Sequence, residues 1–466
     1  MALAVTSPPA ARVLVVMPYW SFFESSTTTD LRHDRESLLS RVCDAVRAAG
    51  CDVAGSYLLD SSSSARPWQE QIVRNDVDVL LVAPSMAAPP APVLDLIHGM
   101  PDVPLVIWPC GWPSTVLGEF SHSDIVERGA TVGTPMITSV LVREGRPFRL
   151  LPVDCDVDGP GGQLADELTA ARAAARVRAA RIGRIGEALP GYASVEVDDE
   201  ALRAHLGLNV IRIPPSEFAE RFAAQSATAT SERVLSLREE FVVDCPAASL
   251  TPAGRAVDAL EGLTGDQRLS AGTLNCHVGE IRGSSQLGIA PCLALGQSTS
   301  HGRPWTCTGD ILTAIGMLIC SEVSGTSLYH EIEAFDPADA SFIIANSGEH
   351  DTRMSTQTPR LAPSPWWPGS ICATHPIPEG PATIVALAPV PDGFRLICAE
   401  GSIEKAAEPA TGTVSGRFRW SGTPGQGWGS WIEAGAGHHS SLGLGHHAGR
   451  LASVAKHLGI DFVAAS

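Results

Sequence analysis

The chain has no run of lysines and arginines, no CxxC pair, and no apolar stretch near the roughly 20 residues of a membrane-spanning helix. Its 33 basic residues face 51 acidic ones, a net charge of −18. Nucleic acid and anionic membrane surfaces repel such a protein and are excluded as its main partners. The 11 cysteines are dispersed and odd in number, which reads as small buried apolar residues and not as bridges or zinc ligands. The opening MALAVTSPPAARVLVVMPYW has no basic segment ahead of an apolar one, and Pro8-Pro9 interrupts it. No signal peptide is therefore expected, and the expected location is cytoplasmic. No GxGxxG or P-loop follows any strand candidate, so dinucleotide and ATP binding have no support.

What is present is an enzyme-sized globular chain. Its 466 residues exceed one ordinary core and imply two to four domains of roughly 100–200 residues each. The continuous apolar run Arg12–Met17 is of the kind found in buried parallel strands. An amphipathic stretch, Leu31–Ala48, follows, and further strands are predicted at Asp52–Tyr57, Asp78–Pro84 and Pro104–Trp108. Strands alternating with helix-length segments predict a doubly wound α/β domain over 1–155. Trp20, with Tyr19, Phe22 and Phe23, lies just past the first strand, where open α/β sheets place ligands. Packing of these aromatics on a neighbouring subunit or loop is the alternative. An Ala- and Arg-rich helix from Gly162 then leads to a strand at Arg181–Gly186, and the alternation restarts, predicting a second α/β domain over 156–320. Ala224–Thr230 reads as a surface loop inside it. The third part, 321–466, turns rich in Pro, Gly, Thr and Trp past residue 352, with short strands predicted at Ala382–Leu387, Phe394–Ala399 and Thr411–Trp420. That is the pattern of an antiparallel barrel or sandwich, here closed by a terminal helix, Arg450–Leu458.

The chemistry-bearing residues gather between Pro291 and Asp351. Thr308-Gly309-Asp310 puts an oxygen side chain at or near the start of a helix that begins at Ile311. Leu328–Phe335 reads as a strand in which Glu331 and Glu333, two apart, share a face. A second strand, Phe342–Ala345, runs into the polar turn Asn346-Ser347-Gly348-Glu349-His350-Asp351. Oxygen donors and a histidine at element ends suit a divalent-metal or acid/base site. Simple capping or solvation of each carboxylate is the plainer alternative. Near the C-terminus, Gly435–Gly449 holds two adjacent histidine pairs, His438-His439 and His446-His447, and imidazole is the commonest metal ligand near neutral pH. Trp366-Trp367-Pro368-Gly369 offers either a sugar-stacking surface or an interface or barrel plug.

Taken in order, TSVLVREGRPFRLL, ARIGRIGEALPGY with LGLNVIRIPPSEF, APCLAL with HGRPWTCTGDILTAIGMLI, SLYHEIEAFDP and GHHSSLGLGHHAG resemble segments of the L-fucose isomerase and L-arabinose isomerase superfamily. The resemblance touches all three parts of the chain. It implies an α/β fold, two doubly wound α/β domains followed by an antiparallel β-barrel-like C-terminal domain. It also implies a small carbohydrate substrate, Mn²⁺ or another divalent metal, and a homo-oligomer, trimer or hexamer. Carried over by residue, Glu331 matches the family's second acidic metal ligand, His439 its histidine ligand and His446 a nearby site histidine. Asp310 matches the second acid of a motif whose first acid, a metal ligand and proton shuttle, falls on Thr308. The histidine of the family's HCG turn falls on Asn346, and Glu349, His350 and Asp351 in the same turn would either restore the ligand count or mark a different reaction.

The implied site thus has Asp310, Glu331, Glu349 and His350 in catalysis, and Glu331, His439, Glu333 and His350 on the metal. Trp20, His446 and Asn346 are expected on the substrate. The implied function is aldose–ketose isomerisation by enediolate-type proton transfer at a divergent site. A metal-dependent epimerase or retro-aldol lyase, or a sugar-binding member without turnover, are the alternatives. Glu331 and His439 are expected within about 6 Å of each other, with Glu349 and His350 facing the same cavity.

Overall fold

The run Arg12–Tyr19 is β1 of the computed structural model, which describes residues 10–27, 29–63, 77–111, 120–152, 155–404 and 412–466. With β2 (Asp52–Asp60), β3 (Val79–Val82), β4 (Leu105–Ile107) and β5 (Arg149–Leu150) it forms a parallel sheet of order β2-β1-β3-β4-β5. Alternate residues of β1 serve opposite faces, as strand geometry requires. Val13, Val15 and Met17 pack with Leu38, Val42 and Leu168, whereas Leu14 and Val16 pack with Val93, Ile97 and Ile137. Helices therefore cover both faces, which is why β1 reads as unbroken apolar sequence.

The chain divides into two compact units, one running through Arg178 with Ser453–Gly459, the other holding Ala179–Ala452 and Ile460–Ser466. In the second unit, β6 (Arg181–Ile185), β7 (Asn209–Ile213), β9 (Ala271–Leu274) and β10 (Trp305–Thr306) form a parallel sheet of order β10-β9-β6-β7. The intervening β8 (Val242–Val243) pairs with β13 (Arg360–Pro363), which pairs with β14 (Ile371–Thr374). One local expectation fails: Ala224–Thr230 is not all loop, because Ser226 accepts a hydrogen bond from the Ala229 N–H and caps a helix over Ala227–Glu240.

The C-terminal strands are β11 (Leu328–Asp336), β12 (Ser341–Ala345), β15 (Gly380–Val390), β16 (Gly393–Glu404), β17 (Ser415–Trp420), β18 (His439–Leu444) and β19 (Asp461–Ala464). Six of them close an antiparallel barrel in the order β15-β18-β11-β12-β17-β16, with β15 pairing back to β16; β19 joins β16 in parallel. Closure leaves no ring edge unpaired. The barrel is filled by Ile384, Ile397, Phe418, Trp420 and Leu442, among others. The fold class is the one the sequence implied. Among the described residues, no helix is long and apolar enough to cross a membrane.

The helix Ile311–Ser324, buried almost throughout, packs on β18 and β15. Gly325, at φ +84°, ends it. Its N-terminus is thereby held beside the first residue of β18, and this juxtaposition builds the site.

Candidate metal centre

Asp310 is the N-cap of that helix. Its Oδ1 accepts from the Thr313 N–H at 2.9 Å and its Oδ2 from the Thr313 hydroxyl at 2.7 Å. The turn that delivers it is tight. Thr308 sits at φ +57° and Gly309 at φ +80°, and a Cβ on Gly309 would lie 2.6 Å from the Glu187 carbonyl oxygen. Glu331 on β11 and His439 on β18 are direct cross-strand partners, so their side chains emerge on one face. His439 Nε2 lies 3.1 Å from Glu331 Oε1, and His439 Nδ1 lies 2.7 Å from Asp310 Oδ2. His438 precedes the strand, with its ring centroid 3.8 Å from that of His439 and its Nδ1 3.2 Å from the Ser194 hydroxyl. Donor atoms of Glu331, His438 and His439 all fall within 4.8 Å of one another.

Charge is arranged to match. Burial alone would lower the His439 pKa, but the bonds to Asp310 and Glu331 outweigh it and raise it to about 9. The same imidazole holds the Glu331 carboxyl below its ordinary value. Glu333 moves the other way, raised by partial burial and then by the neighbouring Glu331 charge. The ladder explains its position: the register slips between Ile332 and Ala334, leaving Glu333 as a bulged residue opposite no partner. Beside it lies a cavity of about 370 Å³ lined by Ile332, Phe335, Phe342 and Trp428. One residue before Glu331 on β11, His330 faces the opposite way, its Nε2 3.1 Å from the Ser440 hydroxyl, and burial lowers its pKa to about 4.

This donor set suits a divalent cation. A carboxylate and two imidazoles are ligands that first-row ions accept. His439 presents Nε2 while its other nitrogen is held by a buried carboxylate, the usual outer support of a metal-bound histidine.

The model for the L-arabinose isomerase C-terminal domain matches residues 333–461. That match supports the arabinose/fucose isomerase superfamily for this stretch of the chain. None of the curated proteins matches it. The matched span holds Glu333 and both histidines of the cluster, and β11 brings Glu331, the third member of the cluster, two residues ahead of that span.

The other residues singled out from the sequence are spread more widely. Glu349 and His350 do not project into solvent; both are almost wholly buried. Burial raises the Glu349 pKa against the opposing pull of its own N–H, the nearby Cys307 and Cys292 thiols and the His439 charge, and neither carboxyl oxygen has a hydrogen-bond partner within bonding geometry among the described residues. His350 is driven well below its ordinary pKa by burial, its ring edge against His375 at 5.3 Å and both nitrogens without hydrogen-bond partners among the described residues. Asn346 is spent on its own turn, accepting from the Gly348 N–H and donating to the Glu349 carbonyl. His446 is exposed and bonded to the Gly401 carbonyl at 3.0 Å. Trp20 belongs to the first unit, stacked on Phe22. Trp367 donates to the Gly288 carbonyl and lies under Arg282. Sequence reasoning flagged the His438-His439 pair but gave a ligand role to His439 alone, and it passed over Ser194. The adjacent histidine pair was the signal for His438; nothing in the sequence marks Ser194.

Proposed function

We propose that the chain is a metal-dependent enzyme of sugar-isomerase type that moves a proton between adjacent carbons of a hydroxycarbonyl sugar. The observation that carries this reading is the hydrogen-bonded series Asp310–His439–Glu331 with His438 at its open end. Glu331, His438 and His439 would hold the ion, Mn²⁺ or a first-row neighbour. Asp310 would fix the His439 ring, and Ser194 would accept a hydrogen bond from the Nδ1–H of His438. When bound, a divalent ion supplies Lewis-acid polarisation of the sugar's carbonyl and hydroxyl oxygens. Proton carriage falls to Glu333, because a carboxyl with raised pKa beside one with depressed pKa is the division of labour that acid/base carboxylates use. Phe335 and Trp428, both partly exposed beside Glu333, offer an apolar wall for the CH face of a sugar.

Thr308 supports a shifted substrate. Its hydroxyl is bonded to the Cys307 carbonyl at 2.8 Å, and a hydroxyl is far too weak a base to replace an acid at neutral pH. L-Fucose and L-arabinose should therefore turn over weakly or not at all; efficient Mn²⁺-dependent interconversion of either sugar overturns the shift. The wider reading is tested by incubating Mn²⁺-loaded protein in D₂O with a panel of aldoses and ketoses. Deuterium should enter the C1 or C2 position of one substrate, and Glu333→Gln should abolish entry while keeping Mn²⁺ affinity. No exchange with any sugar, together with Mn²⁺ binding unchanged in Glu331→Gln, would sink it.

A further inference from the structure

The first unit buries a charge that the proposed reaction does not use. Along the helix Leu31–Ala48, the buried positions Leu31, Arg35, Leu38, Leu39, Val42 and Val46 follow one stripe, and Arg35 is the only charged residue in it. Arg35 is 9% exposed, and its Nε and Nη1 have no hydrogen-bond partner among the described residues. Ser85, just past β3 and fully buried, has a hydroxyl in the same condition. The two meet at Gly111, just past β4. A Cβ added there would lie 3.1 Å from Leu38 Cδ2, 3.4 Å from Arg35 Nη1 and 3.9 Å from Ser85 Cβ. At φ +76° that position also favours glycine.

The location is chemically suggestive. The helix bearing Arg35 starts beyond the carboxyl end of β1, so all three residues lie at that end of the sheet. The strand order β2-β1-β3-β4-β5 reverses direction between β1 and β3, and open α/β sheets bind ligands in that crevice. A guanidinium does not shed its proton at neutral pH, so Arg35 is a permanent buried cation, and such a charge is costly unless paired. Asp34 and Glu127 favour its charge from a distance and Arg128 opposes it. Glu127 is instead bonded by the Thr29 and Ser123 hydroxyls.

We propose that Arg35 and Ser85, which converge beside Gly111, bind a small oxyanion, a phosphate or carboxylate group of a ligand taken up by the first unit. This site is separate from the proposed metal centre and does not depend on it. The test is calorimetric titration of the full-length protein, EDTA-treated and in chloride buffer, with inorganic phosphate and, separately, with acetate. Saturable one-to-one binding of at least one probe is the expected result; phosphate alone names a phosphate-bearing ligand, acetate alone a carboxylate. Arg35→Met should weaken binding at least tenfold and Ser85→Ala severalfold, while Glu331→Gln binds as the wild type. Ser85→Ala and Arg35→Lys carry the test if Arg35→Met does not fold. Binding of neither probe, or equal binding by the wild type and the Arg35 variants, overturns the proposal and leaves the guanidinium to water.

Discussion

Two glutamate–histidine pairs in the second unit carry opposite charge states. In Glu331/His439 the carboxyl is lowered and the imidazole raised, so both are ionised when no metal is bound. In Glu349/His350 the carboxyl is raised and the imidazole lowered, so both are pushed toward neutrality. The residue types are identical, and burial is severe for His439 as well as for His350. The difference is partners. His439 has a carboxylate on each nitrogen, whereas His350 has another histidine beside it and no hydrogen-bond partner among the described residues. A buried titratable group becomes a site when its charge is met by hydrogen-bonding groups, and a spacer when it is not.

The largest effect that sharpens this contrast is on stability. His439→Leu leaves Asp310 buried without its counter-charge and should cost about 3–5 kcal/mol. His350→Leu removes an imidazole with no hydrogen bonds and should change stability by no more than about 1 kcal/mol. Urea midpoints of the two metal-free variants decide it; equal losses break the comparison.

Next in size is the pH response. The His439 pKa is raised to about 9 when folded, against an ordinary 6.5. Its stabilisation is complete below pH 6.5 and is lost as pH rises through about 9, on the order of 3 kcal/mol in all. His350, lowered by burial, acts in the opposite sense and costs stability as pH falls below 6.5. The metal-free protein should therefore weaken from pH 6.5 upward, while Mn²⁺ affinity climbs over the same window because the ion must displace the His439 proton. A denaturation midpoint that rises across that window contradicts the assignment.

Much of this was legible in the sequence. The buried run at Arg12–Met17 and the strands that follow it specify the first sheet because unbroken apolar runs have few other uses. Glu331 and His439 were readable because the family motifs carry them. The Glu349/His350 turn was harder. Its polar letters signal a site, but only packing against Cys292, Cys307 and His375 reveals that the turn is sealed. The Glu333 bulge and the support of His438 by Ser194 depend on register and long-range closure, which one-dimensional pattern does not encode.

A smaller effect separates support from spacer. Asp310→Asn keeps an N-cap but removes the charge behind His439, and should lower Mn²⁺ affinity about 10–100-fold. Glu349→Gln should leave it unchanged. Smallest is Thr308→Asn: a β-branched residue at φ +57° is strained, and asparagine tolerates that conformation better, so the urea midpoint should rise by the equivalent of about 1 kcal/mol. A fall would mean that the Thr308 hydroxyl bond outweighs the strain.

The central claim is that Glu331, His438 and His439 together hold a divalent ion. Pulsed electron paramagnetic resonance of the Mn²⁺-loaded protein reads it directly, through coupling of the metal to histidine nitrogen. The account predicts coupling to two histidine nitrogens in the wild type, reduced to one in His439→Leu, and weakened Mn²⁺ binding in Glu331→Gln. Tight Mn²⁺ binding with oxygen ligands only, unaffected by either substitution, would contradict it.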